Sequence, residues 1–144
     1  LDFEKPTEID HLVAVLKRVM PLAEKQGLTI ALENYLSAKD NLRIIDRVAS
    51  PVLKVYYDVG NSTDKNYDIY AEIQELGKRN LIVQFHAKDG RSPLGQGRID
   101  FKRLRRVLDA IDYRGWIVLE SVHPGGVVES YRKQAACLRS IFPC

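Results

Sequence analysis

The stretch Leu81-Ile82-Val83-Gln84-Phe85-His86-Ala87-Lys88-Asp89 decides how this chain folds. An apolar, β-branched and aromatic run leads directly into a metal-capable side chain, the pattern of a buried strand with a polar far end. Working outward, the same design recurs in LTIALEN (Leu28 to Asn34), LKVYYDVGN (Leu53 to Asn61) and WIVLESV (Trp116 to Val122). The terminal polar groups are Glu33, Asp58, His86 and Glu120, spaced 25, 28 and 34 residues apart. A helical pattern follows each run, which is the βαβ signature of a parallel sheet. In such sheets ligands bind at the carboxyl ends of the strands.

The segments between the runs support this layout. Thr7 and Asp10 form a capping-box-like pair ahead of a helix carrying Ile9, Leu12, Val13, Leu16, Val19 and Met20 at helical spacing. Pro21 is expected to kink or tighten that helix, and Gly27 to stop it. A second helix, from about Asp40 to Ala49, buries Leu42, Ile45 and Val48 and ends at Ser50-Pro51. Asn61 to Asn66 reads as a loop and Tyr67 to Arg79 as a helix. Asp89 to Ile99 is a longer loop, and Asp100 can cap a helix with a stripe of Leu104, Val107, Leu108 and Ile111. The last helix runs from about Val127 to Phe142. The whole is α(βα)4: half of a (β/α)8 TIM-type barrel with the helix that precedes it. A four-stranded open α/β sheet is the alternative, but Glu33-Asn34-Tyr35-Leu36-Ser37 holds no phosphate-binding glycines.

With 144 residues, 45% hydrophobic and 28% charged, the chain fits one globular domain. The net charge of +3 is scattered over helices. The dense cluster Lys102, Arg103, Arg105 and Arg106 interrupts an apolar face and reads as a solvated helix surface, so no nucleic-acid partner is expected. No apolar run approaches membrane-spanning length. Cys137 and Cys144 have no CxxC partner, which points to a reducing, cytoplasmic setting rather than a disulfide framework. The chain opens at Leu1 on a helix rather than a strand and reads as a piece of something longer.

Each site residue has a bland reading on its own. Glu33 and Glu120 are then solvated strand ends, Asp58 caps a turn, and His86 is a satisfied core histidine. Four such groups at equivalent ends of four successive strands are not what core packing predicts. Their oxygen and imidazole donors suit one divalent ion (Mn²⁺, Mg²⁺, Co²⁺ or Zn²⁺). Strand alternation sends Lys88 to the same side as His86, where a cation can hold a substrate oxygen, and leaves Asp89 to pair with Lys88 or bond substrate. The Gly95-to-Phe101 loop leads into a helix N-terminus that can receive an anion. Ile30, Leu32, Val55, Tyr57 and Val118 are the candidates for a barrel interior. His11 and His123 read as surface residues.

The motifs Ala31-Leu32-Glu33-Asn34, Tyr57-Asp58-Val59-Gly60-Asn61, Phe85-His86-Ala87-Lys88-Asp89, Gly95-Gln96-Gly97-Arg98-Ile99-Asp100-Phe101 and Leu119-Glu120-Ser121 resemble the C-terminal half of the sugar phosphate isomerase/epimerase superfamily, the xylose isomerase-like TIM barrels. The resemblance implies that residues 1–144 are strands five to eight of the barrel, with Glu33, Asp58, His86 and Glu120 on one divalent metal. It also implies Glu33 and Glu120 as the acid/base pair of an isomerase or epimerase of sugars, sugar phosphates or related polyols. Asn61, Lys88 and Asp89 are the expected substrate contacts, and the missing N-terminal half-barrel or a second copy is the expected partner. Ketose epimerases often carry a histidine shortly after the aspartate, where this chain has Gly60-Asn61. Endonuclease IV needs further histidines that are absent here, so a three-metal nuclease centre is not assembled. A keto-cyclitol dehydratase begins with the same deprotonation and stays open as an alternative, as do an endonuclease IV-like hydrolase of the same fold and a non-catalytic half-barrel.

Overall fold

The computed structural model describes residues 5–143. The elements are α1 (Pro6–Lys25), β1 (Ile30–Leu32), α2 (Ala38–Val48), β2 (Leu53–Asp58), α3 (Val59–Asp64), α4 (Ile69–Gly77), β3 (Ile82–Ala87), α5 (Phe101–Ala110), β4 (Trp116–Leu119) and α6 (Val127–Ile141). The strands form one parallel sheet in the order β1-β2-β3-β4. Each connection passes through a helix, as parallel neighbours require. No helix among the described residues is long and apolar enough to cross a membrane. Cys144 lies outside the described residues, and Cys137 is a free thiol.

Helix ends follow local chemistry, with one correction. The Thr7–Asp10 capping box does not form: the helix starts at Pro6, Lys5 occupies the N-cap position, and no side chain caps it. Proline at the first position needs no N–H partner, and Asp10 instead takes a 2.6 Å ion pair from Arg47 of α2. The helix runs on through Pro21 to Lys25 and stops as expected, with Gly27 at φ +64 and the Leu28 N–H returning to the Ala23 carbonyl. Ser37, Asp68 and Asp100 cap α2, α4 and α5 through their side chains. The expected loop at Asn61 to Asn66 is mostly helical, since α3 begins directly after β2 with Asp58 as its N-cap.

The core lies between the sheet and the helices. Ile9, Val13, Leu16 and Met20 of α1, Ile44, Ile45 and Val48 of α2, and Ile73 and Leu76 of α4 close over Leu53, Val55, Tyr57 and Phe85. Phe85 sits edge-on to Tyr57 and Tyr113, with centroids 5.7 and 4.8 Å away. This overturns part of the expected barrel interior. Val55 and Tyr57 are buried, and Ile30 and Leu32 pack against the same helix-side core. The reason is parity: Asp58 turns to the far face, so Tyr57 and Val55 must turn toward the helices. The opposite face carries Tyr56, His86, Val118 and, 78% exposed, Trp116. Of the five candidates, Val118 alone lies there.

Candidate metal centre

Glu33, Asp58 and His86 arrive from β1, β2 and β3, and each offers a donor atom within 4.8 Å of the others. Glu120, just beyond β4, brings Oε2 to 3.0 Å from His86 Nδ1, while Asp58 Oδ2 stands 3.4 Å from the same nitrogen. That nitrogen is buried and makes no aligned hydrogen bond. An orphaned imidazole nitrogen facing carboxylates is costly in a protein interior, and it is the arrangement a metal-ligating histidine presents. The Tyr56 ring lies against the imidazole, with centroids 4.1 Å apart and the planes tilted by 40°.

Asp58 realises both of its readings. Its Oδ1 caps α3, accepting from Gly60 N at 2.8 Å and Asn61 N at 2.9 Å, and Oδ2 is left to the site. Burial above all raises its carboxyl above the usual range, against the Asn61 N–H bond and the Lys88 charge. Burial, then the charge of Asp58, raises Glu33 in the same direction. Lys88 is also pushed up. Burial works against its charge, but the hydrogen bond to Glu120 and the charges of Asp58 and Glu120 together outweigh it.

The three expected substrate contacts have other work in this structure. Asn61 is 2% exposed, donates from Nδ2 to Glu33 Oε1 at 2.8 Å, and accepts from Lys88. Lys88 does reach the His86 side, but its ammonium bonds Glu120, Asn61 and Asp58. Asp89 neither pairs with Lys88 nor faces the cluster. It is buried and accepts from Gly95 N, Gly97 N and Ile99 N. The glycine loop thus receives an anion, and the anion is the chain's own Asp89. Asn61 and Lys88 are bonded within the cluster, and Asp89 within the glycine loop.

His11 and His123 are exposed, as expected. The basic cluster on α5 is a helix surface, with Arg103 over the Tyr70 ring at 3.9 Å and Arg105 paired to Asp109. Tyr56 and Gly60 were not singled out as site residues from the sequence. Alternation could have found Tyr56, two positions before Asp58 and therefore on the same face.

Known proteins with similar sequence or shape agree on the fold. Residues 2–141 match the family model of the xylose isomerase-like TIM barrel. An uncharacterized Methanocaldococcus jannaschii protein is 24% identical over 136 residues, covering 85% of this chain and 46% of its own length. The 3-oxo-isoapionate decarboxylase of Pectobacterium atrosepticum is 30% identical over 99 residues, covering 67% of this chain and 35% of its own. The chain thus spans less than half the length of these relatives. The structure of D-psicose 3-epimerase in the presence of D-fructose superposes with a TM-score of 0.82 at 17% identity, covering 100% of this chain and 61% of that one.

Proposed function

The chain belongs to the xylose isomerase-like TIM-barrel family, and on that premise we propose that it carries the metal and acid/base residues of a divalent-metal-dependent isomerase or epimerase of sugars, sugar phosphates or related polyols. The observation that carries this reading is the grouping of donor atoms of Glu33, Asp58 and His86 within 4.8 Å of one another, with Glu120 outside that group but its Oε2 3.0 Å from the buried His86 Nδ1. The donor set suits Mn²⁺, Mg²⁺, Co²⁺ or Zn²⁺. The four strands are assigned as the last four of an eight-stranded barrel. The shorter span relative to its relatives and the two open sheet edges support that assignment. The remaining half of the pocket then comes from an N-terminal half-barrel or a second copy.

A divalent ion held by Glu33, Asp58, His86 and Glu120 would supply Lewis-acid polarisation of a substrate carbonyl and its neighbouring hydroxyl. Glu33 is held through Oε1 by Asn61, which leaves its other oxygen for the C–H proton beside the carbonyl. Glu120 comes from the opposite margin of the sheet and passes a proton taken from solvent to the other face of that carbon, inverting it, while the proton held by Glu33 is released to solvent.

The test is solvent exchange. The full-length, manganese-loaded enzyme, incubated with ketoses in D₂O, is expected to place deuterium on the carbon beside the carbonyl, read by NMR. Glu33→Gln and Glu120→Gln should each slow this by roughly 10²–10⁴-fold, with metal content measured alongside. Full-rate exchange in either variant overturns the assignment. The decarboxylase relative favours a second reading, a lyase acting on a keto acid. Carbon dioxide release without exchange would select it.

A further inference from the structure

Lys88 commits its whole ammonium to the protein. It donates to Glu120 Oε1 at 2.9 Å, to Asn61 Oδ1 at 3.0 Å and, more loosely, to Asp58 Oδ2 at 3.4 Å. An ammonium has three donors, so none remains for a substrate oxygen. The aliphatic stem is equally committed. It crosses Gly60 so closely that a β-carbon there would stand 2.5 Å from Lys88 Cγ. The charge is therefore built into the cluster, with its side chain only 20% exposed.

A fixed cation within hydrogen-bond reach of two carboxylate ligands acts on whatever those ligands hold. The Lys88 and Asp58 side chains are 20% and 0% exposed, so repulsion between that ammonium and an ion on Asp58 is only partly screened. Three carboxylates against one ammonium, with His86 neutral as a ligand must be, leave two net negative charges. A divalent ion brings that sum to zero. Without Lys88 the loaded centre would keep a net negative charge and hold its metal more tightly.

This rests on the metal reading above. We propose that Lys88 is a positioning residue that serves as a built-in counter-cation: its charge lowers the site's affinity for the divalent metal and renders the loaded centre neutral toward an uncharged carbonyl–hydroxyl substrate. The consequence is a metal held firmly enough to act and loosely enough to exchange.

Mn²⁺ binding to the full chain, followed by the electron paramagnetic resonance of free manganese, tests this in wild type, Lys88→Met, Lys88→Gln and Lys88→Arg. Removing the charge should tighten binding at least about tenfold in the Met and Gln variants. The Gln variant also keeps a polar group beside Glu120. The Arg variant should stay near wild type. Unchanged binding in Met and Gln overturns the inference, and so does weakening by about 10–100-fold, the mark of a partner that merely orients ligands. Equal tightening in the Arg variant overturns it as well, because charge is then not the cause. A wild-type chain that takes up no Mn²⁺ overturns the metal reading itself, and this inference with it.

Discussion

The stem of Lys88 lies against Gly60, filling the space that any larger side chain at that position would need. Gly60→Ala is therefore a packing change with an electrostatic consequence. The overlap involves Lys88 Cβ and Cγ as well as Cδ, so the side chain cannot swing clear by its tip alone. We expect a loss of about 1–3 kcal/mol in urea unfolding, as overpacking typically costs. A variant as stable as wild type would show that the loop after β3 yields freely.

Asp89 organises the loop that precedes α5. Asp89→Ala strands three backbone N–H groups, those of Gly95, Gly97 and Ile99. Ile99 is buried, and a buried donor left unpaired costs about 1–3 kcal/mol, whereas water can reach the exposed Gly95 and Gly97. Amide exchange at these three positions should accelerate well before global unfolding. Unchanged protection at all three would refute the role.

Glu72 links α4 to two other elements, accepting from Ala38 N at 2.8 Å and from the Tyr57 hydroxyl at 2.6 Å. Burial, despite both hydrogen bonds, raises its carboxyl above the ordinary 4.5. Below that value both folded and unfolded chains hold the proton. Above it the unfolded chain releases the proton first, so stability falls as pH climbs through the folded pKa. Glu72→Gln should flatten this slope while keeping an oxygen for the Ala38 N–H. Parallel pH–stability curves for the two proteins would contradict the assignment.

Trp116 is 78% exposed on the site face of β4, a strand with an open edge. Large exposed aromatics beside an unpaired edge drive association. The 144-residue chain alone should sediment as a dimer or larger species, and Trp116→Lys should shift it toward monomer. A monomeric wild type with full isomerase turnover would remove the case for a partner half.

Much of this arrangement is legible in the sequence, because an apolar run ending in an ionisable group marks both a strand and its open end. Glu33, Asp58, His86 and Glu120 are visible for that reason. The orientation of Val55 and Tyr57 is not, if apolar character alone is used. Both faces of these strands accept large side chains, and only the parity of Asp58 separates them. The helix α3 is hidden because Val59-Gly60-Asn61-Ser62-Thr63-Asp64 has no apolar period; the Asp58 cap and the Thr63 hydroxyl bonded to the Val59 carbonyl hold it. The bonds of Asp89 are hidden for a different reason. Its partners are backbone N–H groups six to ten residues away, and those exist as donors only once the loop has closed.

The two oxygens of Asp58 face in different directions, one toward the first turn of α3 and one toward the donor cluster. Folding and chemistry are thereby coupled through a single planar group less than three ångströms wide. A lengthened arm at this position could serve the helix or the cluster but not both, because rotation that satisfies one oxygen swings the other away. The carboxylate works as a rigid bracket, and the first turn of α3 sets the angle at which it is mounted.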